Sequence, residues 1–195
     1  MKKRYRLLLS LAVICVIASL IVSSVFYNRY TEYKKMNNQT YENLMSSVYS
    51  YGLEIPATKI DAIVQLIKLN SPEAREGIET WILEIASDYS VAQNAAALLE
   101  PFISDDEGNP GSPVQMYRFF GDLKSLLLDM VRTEDDLEQW KQIGLELSDI
   151  MTSLKTNLDK QKLADASDAA QQWNEAIHQL KQRYSDTYIL QHIIR

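Results

Sequence analysis

Residues 137–184 read LEQWKQIGLELSDIMTSLKTNLDKQKLADASDAAQQWNEAIHQLKQRY, and this stretch decides the fold. Apolar or small residues recur in both halves at alternating intervals of three and four, the spacing of a helix packed lengthwise against another. The stretch therefore predicts two long helices, joined near Gln161 as an antiparallel hairpin, the second of which continues to Ile194. The two stripes comprise Leu137, Trp140, Gly144, Leu147, Met151, Leu154 and Leu158, then Leu163, Ala166, Ala170, Trp173, Ile177, Leu180 and Tyr184.

Upstream of the hairpin, glycine and proline residues mark the ends of further helices. A Tyr-rich helix from about Tyr27 to Tyr51 is predicted to stop at Gly52, because glycine is the commonest residue just beyond a helix C-terminus. Pro56 is expected to open the next helix, which runs to about Leu69, because proline fits the first helical position. The apolar face of this second helix comprises Ile60, Ile63, Val64 and Ile67.

The next helix begins with Ser71 as N-cap and Pro72 at the first helical position, and Pro101 ends it. Its stripe again alternates four and three and comprises Ile78, Ile82, Ile85, Tyr89, Ala92, Ala96 and Leu99. A loop at 103–113 follows, because ISDDEGNPGSP holds two glycines and two prolines. A helix then runs from Ser112 to about Val131, with Tyr117, Phe120, Leu123, Leu127 and Met130 as candidate core.

Thr133 provides an N-cap for the first helix of the hairpin, and residues 134–136 place acids where the helix dipole favours them. No stretch shows the alternation of period two that a half-buried strand requires. The sequence therefore predicts an all-α protein, in which an elongated antiparallel bundle of about five helices occupies residues 27–195.

An apolar run, LLLSLAVICVIASLIVSSVF at 7–26, precedes this bundle. It contains no charge, and a helix of this length spans about 30 Å, the thickness of a hydrocarbon core. Residues 1–6 contain four basic residues, which are expected to stay in the cytoplasm as a short tail and to leave the C-terminal domain outside. The run therefore predicts a single-pass signal-anchor; a cleaved signal peptide, with Val22 and Ser24 before the cut, is the competing interpretation.

The charge beyond the apolar run restricts the function. Sixteen of the 20 basic residues and all 26 acidic residues follow it, so the outer domain has a formal charge of −10. Nucleic-acid binding requires the opposite sign or a concentrated basic patch, so no nucleic-acid partner is expected. Cys15, the only cysteine, lies inside the apolar run and cannot form an internal disulfide.

Motifs for catalysis or metal binding are not found. His178 and His192 are too far apart to form a metal motif, and His178 follows core Ile177 and is expected to face solvent or the edge of the bundle. Residues 105–109, DDEGN, lack the ligand spacing of a calcium loop. No serine lies in a strand-turn-helix elbow. We therefore expect no catalytic residue, no metal and no cofactor.

Three tryptophans could contact a partner. Trp140 and Trp173 fall on the hairpin stripes, which favours core packing. Trp81 lies one position away from its stripe, and we expect it to be part-exposed and the best single candidate for a partner contact.

A set of markers resembles the N-terminal helical region of the YpeB family of membrane-anchored spore-germination proteins. The markers are Trp81, Val91, Gln93, Leu98-Leu99, Pro101-Phe102, Phe120-Gly121-Asp122, Thr133-Glu134 and Ser148-Asp149-Ile150, spread over residues 40–160. The resemblance implies a scaffolding role at the inner membrane of a cell or spore, with a cortex-lytic enzyme as partner. It adds Gln93, Phe102 and Asp122 to Trp81 as candidate contacts. The family's C-terminal PepSY-type domains are not present in this sequence, so roles tied to them are not carried over.

Two functions of different classes follow. The first is a membrane-anchored, non-catalytic scaffold that positions a cortex or cell-wall hydrolase. The alternative is an extracytoplasmic sensor that binds a small molecule between its helices.

Overall fold

The structure, a computed structural model, describes residues 2–69, 72–103, 112–133 and 137–193. Side chains are described from residue 19 onward, apart from those of 69, 72–74, 112, 133, 137, 164, 167 and 192. Every regular element in the described ranges is helical, so the predicted all-α class is confirmed. The predicted cap at Ser71, the side chains of Thr133 and His192 and most of the loop at 103–113 lie outside the described residues. By its backbone, Thr133 is the last residue of the preceding helix.

In chain order, the helices are α1 (Lys2–Tyr49), α2 (Ile55–Leu69), α3 (Pro72–Ala97), α4 (Ser112–Thr133), α5 (Leu137–Asn157), α6 (Ala166–Tyr184) and α7 (Tyr188–Ile193). A π-helical turn at Ser50–Glu54 joins α1 to α2, and a 3-10 turn at Lys162–Ala164 lies between α5 and α6. The chain divides into two compact units, Met1–Thr40 and Tyr41–Arg195.

The first unit exposes its large apolar side chains between residues 19 and 36. Each of them has 49% to 70% of its surface exposed, namely Leu20, Ile21, Val22, Val25, Phe26, Tyr27, Tyr30, Tyr33 and Met36. In the part of the chain that the structure describes, no helix has both the length and the apolar content that a membrane crossing needs. The predicted anchor at 7–26 falls partly outside that description, because the side chains of 7–18 are not included.

The predicted end of the first helix at Gly52 is wrong. The chain stays helical through Ser50–Glu54 and enters α2 directly. Pro56 lacks the N–H that would reach the carbonyl group of Gly52, and its ring would crowd that carbonyl in a regular α-helix. The wider π-helical turn at this point is typical of a helix that accommodates such a disruption.

Gly52 is instead required by a tertiary contact. A Cβ atom added at Gly52 would lie 2.6 Å from Cε1 of Phe120 and closer still to its Cζ atom. The Phe120 ring is fully buried and is enclosed by Tyr89, Phe119 and Trp173, with ring centroids 5.4 to 5.9 Å away. Such aromatic clusters dominate the packing energy of a core, and this one joins α3, α4 and α6 to the π-helical turn.

The predicted stripe of α3 is confirmed in full, since all seven of its residues are buried. In α4 the prediction for Tyr117 is wrong, because this side chain is 43% exposed. The buried face of α4 is shifted toward Met116 and Phe119, which lie beside the correctly predicted Phe120. The two faces differ by one residue, or about 100° around the helix.

The antiparallel hairpin of α5 and α6 is confirmed. The backbone N–H of Asp159 donates to Oε1 of Gln172 at 3.0 Å, and the Tyr184 hydroxyl donates to the carbonyl of Asp149 at 3.4 Å. From Asp159, just after α5, to Asp149 within it, the position falls by ten, whereas the partner in α6 rises by twelve from Gln172 to Tyr184. Opposite changes of this kind are the signature of antiparallel helices. Trp140 and Trp173 are both buried, as their stripes predict.

The last helix does not continue to Ile194 as predicted. It breaks after Tyr184, and α7 begins at Tyr188. Thr187 lies in the break: its hydroxyl donates to the Tyr184 carbonyl and accepts from the N–H of Leu190, so it acts as the N-cap of α7. The N–H of Ile189 is satisfied by a carboxylate of α5, Oε2 of Glu146, at 3.2 Å.

An ion pair holds α2 on α3. Nζ of Lys59 lies 2.7 Å from Oδ2 of Asp88 and 3.2 Å from Oε2 of Glu84. Burial opposes the charge of Lys59, but hydrogen bonds and attraction to both carboxylates outweigh it and raise the pKa of the lysine. The Lys59 and Asp88 side chains are only 17% and 13% exposed, so water screens their contact weakly.

We therefore expect Lys59→Met to lower the free energy of unfolding by about 1–2 kcal/mol, because it leaves the carboxylate of Asp88 without its cation. Chemical denaturation of the purified protein measures the change. Lys141→Met is the matched control, because Lys141 pairs with Glu138 at the surface, where such pairs contribute less than about 1 kcal/mol. Equal losses in the two variants would contradict the prediction.

Candidate interaction surfaces

The four candidate contact residues do not form one surface. Trp81 and Gln93 both lie on α3, but twelve positions separate them, which is about 18 Å along the helix. Trp81 is half-buried against the core, as expected for a part-exposed side chain. Phe102 follows α3 and also packs on the core.

Gln93 and Asp122 are brought close together where α3 packs on α4. The side-chain amide of Gln93 lies on the backbone of Gly121, where an added Cβ would be 2.5 Å from its Nε2 atom. Asp122, the next residue, is exposed. Desolvation raises the pKa of its carboxyl group, and Arg118, one turn earlier, partly offsets this effect. The two residues thus belong to one polar edge of the α3–α4 pair.

Phe102 has an evident structural role. Its ring centroid lies 6.2 Å from that of Tyr41, whose buried hydroxyl donates to the carbonyl of Leu163 at 2.8 Å. The contact therefore links the end of α3 to the start of the second unit and to the 3-10 turn before α6. Burial chiefly, and then the charge of Asp165, raise the pKa of Tyr41.

An open cleft of about 200 Å³ lies between the last turns of α1 and the connection from α5 to α6. Its lining comprises Glu42, Met45, Ser46, Tyr49, Lys160 and Leu163. Nζ of Lys160 lies 5.0 Å from the ring centroid of Tyr49 and 3.5 Å from the carboxylate of Glu54. Burial chiefly, and then the charges of Glu54 and Asp159, raise the pKa of Tyr49. The positive charge of Lys160 partly offsets this rise.

The cleft is smaller than the usual 300–1,000 Å³ of a small-molecule site. Its cation already has both a carboxylate and an aromatic partner. The cleft is therefore small for a metabolite site. Sequence reasoning missed it, because Tyr49 and Lys160 are 111 positions apart.

His178 faces solvent, as predicted, and its Nε2 lies 2.9 Å from Nε2 of Gln182. Among the described residues, no group of three or more His, Cys, Asp or Glu side chains is arranged to hold a metal ion.

Another surface that sequence reasoning missed lies on the solvent side of α3. Leu83, Val91 and Leu98 are 49%, 41% and 61% exposed, respectively. They are three of the six exposed large apolar side chains described between residues 41 and 193.

Comparisons with known proteins do not assign the chain to a class. No family model matches it, and no curated protein or solved structure is significantly similar to it.

Proposed function

We propose that the chain is a membrane-anchored, non-catalytic scaffold whose helical domain holds a protein partner at the outer face of the membrane. The observation that supports the anchor is the apolar surface of α1 between residues 19 and 26. Leu20, Ile21, Val22, Val25 and Phe26 are exposed on several sides of the helix. A helix that exposes large apolar side chains on several sides is typical of a lipid or protein environment.

The charges that flank the apolar run support the proposed orientation. Lys2, Lys3, Arg4 and Arg6 precede it, whereas Arg29, Lys34 and Lys35 follow it with Glu32 among them. Basic residues are retained in the cytoplasm, so the N-terminus lies on the cytoplasmic side of the inner membrane of a cell or spore. Three exposed tyrosines follow the apolar run, at the position expected for the membrane–water interface, where aromatic rings are enriched: Tyr27, Tyr30 and Tyr33.

A cysteine-labelling experiment tests the anchor and its orientation. In a Cys15→Ala background, we expect a membrane-impermeant maleimide to label Ser185→Cys in intact spheroplasts and Lys3→Cys only after permeabilisation. Ser185 is exposed, so the substitution leaves the bundle unchanged. Release of the protein by alkaline carbonate would contradict the anchor, and the reverse labelling pattern would contradict the orientation.

The partner that we propose is a cortex or cell-wall hydrolase, which the resemblance to the YpeB family implies. A scaffold of this kind needs an accessible polar surface, and the edge formed by Gln93 and Asp122 is exposed in part. Affinity capture of the full chain from detergent-solubilised membranes should recover such an enzyme. Failure to recover any reproducible partner would count against the scaffold, whereas the labelling experiment would still report on the anchor.

The sensor function is a weaker candidate, because the cleft beside Tyr49 and Lys160 is small and open. A thermal-shift series distinguishes the two functions, since a true ligand raises the melting temperature with its concentration.

A further inference from the structure

The solvent side of α3 has a regular pattern of its own. Residues Leu83, Ser87, Val91, Asn94 and Leu98 follow one another at intervals of four, four, three and four, and all are exposed. We refer to these five residues as the outer α3 face. It is about 22 Å long, and its spacing is that of a helix that packs lengthwise on another helix. The helical turn reaches Leu98, whose N–H donates to Asn94 and Ala95.

The outer α3 face lacks charge, although the chain is 24% charged. Residues 89–99, YSVAQNAAALL, contain no charged side chain. Asp88, the last acid before them, is 13% exposed and is held by Lys59. Because the domain beyond residue 26 has a net charge of −10, two copies repel each other over most of their surfaces. An uncharged helical face is where such copies can approach at least cost.

The pattern of the outer α3 face is also self-complementary. When two copies of α3 are placed antiparallel about an axis between Ser90 and Val91, Leu83 of one copy lies opposite Leu98 of the other. Ser87 then lies opposite Asn94, so that two polar side chains can hydrogen-bond to each other, and the two Val91 side chains meet at the axis. Glu84 lies opposite Ala97, and no like charges face each other. A two-fold interface requires this kind of self-match.

We propose that the outer α3 face is a homodimer interface, which pairs antiparallel with the same face of a second copy of the chain. The inference does not rest on the proposed membrane function, since it uses only residues of the second unit. A contact of four helical turns buries less than the roughly 1,600 Å² of a standard interface, so the pairing is weak and reversible. Confinement to a membrane would favour it through the higher effective concentration.

Disulfide crosslinking of the full chain in detergent micelles, in a Cys15→Ala background, tests the pairing at its centre. Across the proposed axis, two Val91→Cys residues lie about 1.5 Å apart along the helices and about 5 Å apart between Cα atoms, which suits a disulfide. We expect Val91→Cys to crosslink at least about tenfold faster than Leu145→Cys, an exposed leucine on α5, because paired thiols reach millimolar effective concentration. Equal rates would overturn the proposal.

Cysteines at the ends of the face test its direction. When the Leu83→Cys variant is mixed with the Leu98→Cys variant, the two chains should crosslink to each other. Neither variant alone should crosslink, because the two identical cysteines of an antiparallel pair lie about 22 Å apart. Rapid crosslinking of Leu83→Cys alone would overturn the antiparallel arrangement.

A charge at the axis provides an independent check on the same interface. Val91→Asp, introduced into both the Leu83→Cys and the Leu98→Cys variant, should reduce the crosslink between them to background. The reason is that it places two carboxylates together at the axis. Leu145→Asp should not change the crosslink. Both sites are exposed, and an unchanged melting temperature verifies that each variant is folded. A mixed crosslink that survives Val91→Asp would contradict the proposal.

Discussion

Gly52→Ala is expected to lower the free energy of unfolding by about 3 kcal/mol, the upper end of the usual cost of adding a methyl group to a packed core. The added Cβ would overlap the Phe120 ring. This ring has little room to move, because Tyr89, Phe119 and Trp173 surround it. Chemical denaturation measures the loss. Its sign is opposite to that of the usual effect, since replacing glycine by alanine within a helix normally stabilises it by up to about 1 kcal/mol.

Gly144→Ala is the matched control for this prediction. Gly144 is also helical and buried, but its added Cβ would lie 3.6 Å from Cγ2 of Val64, an ordinary van der Waals contact. We therefore expect Gly144→Ala to leave stability unchanged or to raise it by up to about 1 kcal/mol. If both alanine variants were equally stable, the close contact of Gly52 with Phe120 would have no energetic weight.

A double mutant separates the ring contact from other effects at Gly52. Phe120→Leu destabilises the protein by itself, but it removes the ring atoms that the new Cβ would meet. Gly52→Ala should then cost at least about 1 kcal/mol less in the Phe120→Leu background, because residues in contact couple by about 0.5–3 kcal/mol. An equal cost in both backgrounds would mean that the loss arises from the backbone of the π-helical turn.

The same glycine shows where sequence reasoning stops. Gly52 carries a local signal for a helix end and Pro56 carries one for a helix start, and read together they predict a break between two helices. The structure has no break there, because the backbone packs against Phe120, which lies 68 positions later in the chain. A contact at that separation leaves no local signal. By contrast, periodicity depends on neighbours within one helix, and it predicted the buried face of α3 and the buried tryptophans of the hairpin, Trp140 and Trp173.

Some of the differences between the predicted and the observed helices could have been found in the sequence. Ser185, Asp186 and Thr187 are all residues that favour an N-cap, and they stand where α6 ends and α7 begins. The face of α4 is ambiguous from sequence, since Met116 and Phe119 fit a helical stripe as well as Tyr117 does. The outer α3 face is a second stripe on a helix whose buried stripe is stronger, and only the exposures of Leu83, Val91 and Leu98 separate the two.

The pH dependence of stability is expected to be steep above pH 10. Tyr41 and Tyr89 are buried, and desolvation chiefly, then the charges of Asp165 and Asp88 respectively, raise their pKa values above that of an exposed tyrosine. The unfolded chain loses these protons near pH 10, whereas the folded chain retains them. The stabilisation is therefore complete below pH 10 and is lost as the pH rises toward the folded-state pKa values.

Each retained proton lowers the free energy of unfolding by about 1.4 kcal/mol per pH unit in this range. Tyr41 and Tyr89 together therefore give a slope of about 2.8 kcal/mol per pH unit, and Tyr49, whose pKa is also raised, acts in the same direction. Lys59, whose pKa is also raised, adds to the slope in the same direction above its unfolded value of about 10.5. Because typical domains have only about 5–15 kcal/mol of stability, the bundle should unfold cooperatively within a few pH units of 10.

Denaturation midpoints measured between pH 8 and pH 11.5 test this expectation, and tyrosinate absorbance reports ionisation in the same samples. Tyr89→Phe keeps the ring that packs against Phe120 and removes the hydroxyl, so the slope should fall by about one proton, or 1.4 kcal/mol per pH unit. Tyr117→Phe is the matched control, because its hydroxyl-bearing side chain is 43% exposed, and its slope should equal that of the unaltered protein. If the two variants gave the same slope, burial of Tyr89 would not be the source of the alkaline sensitivity.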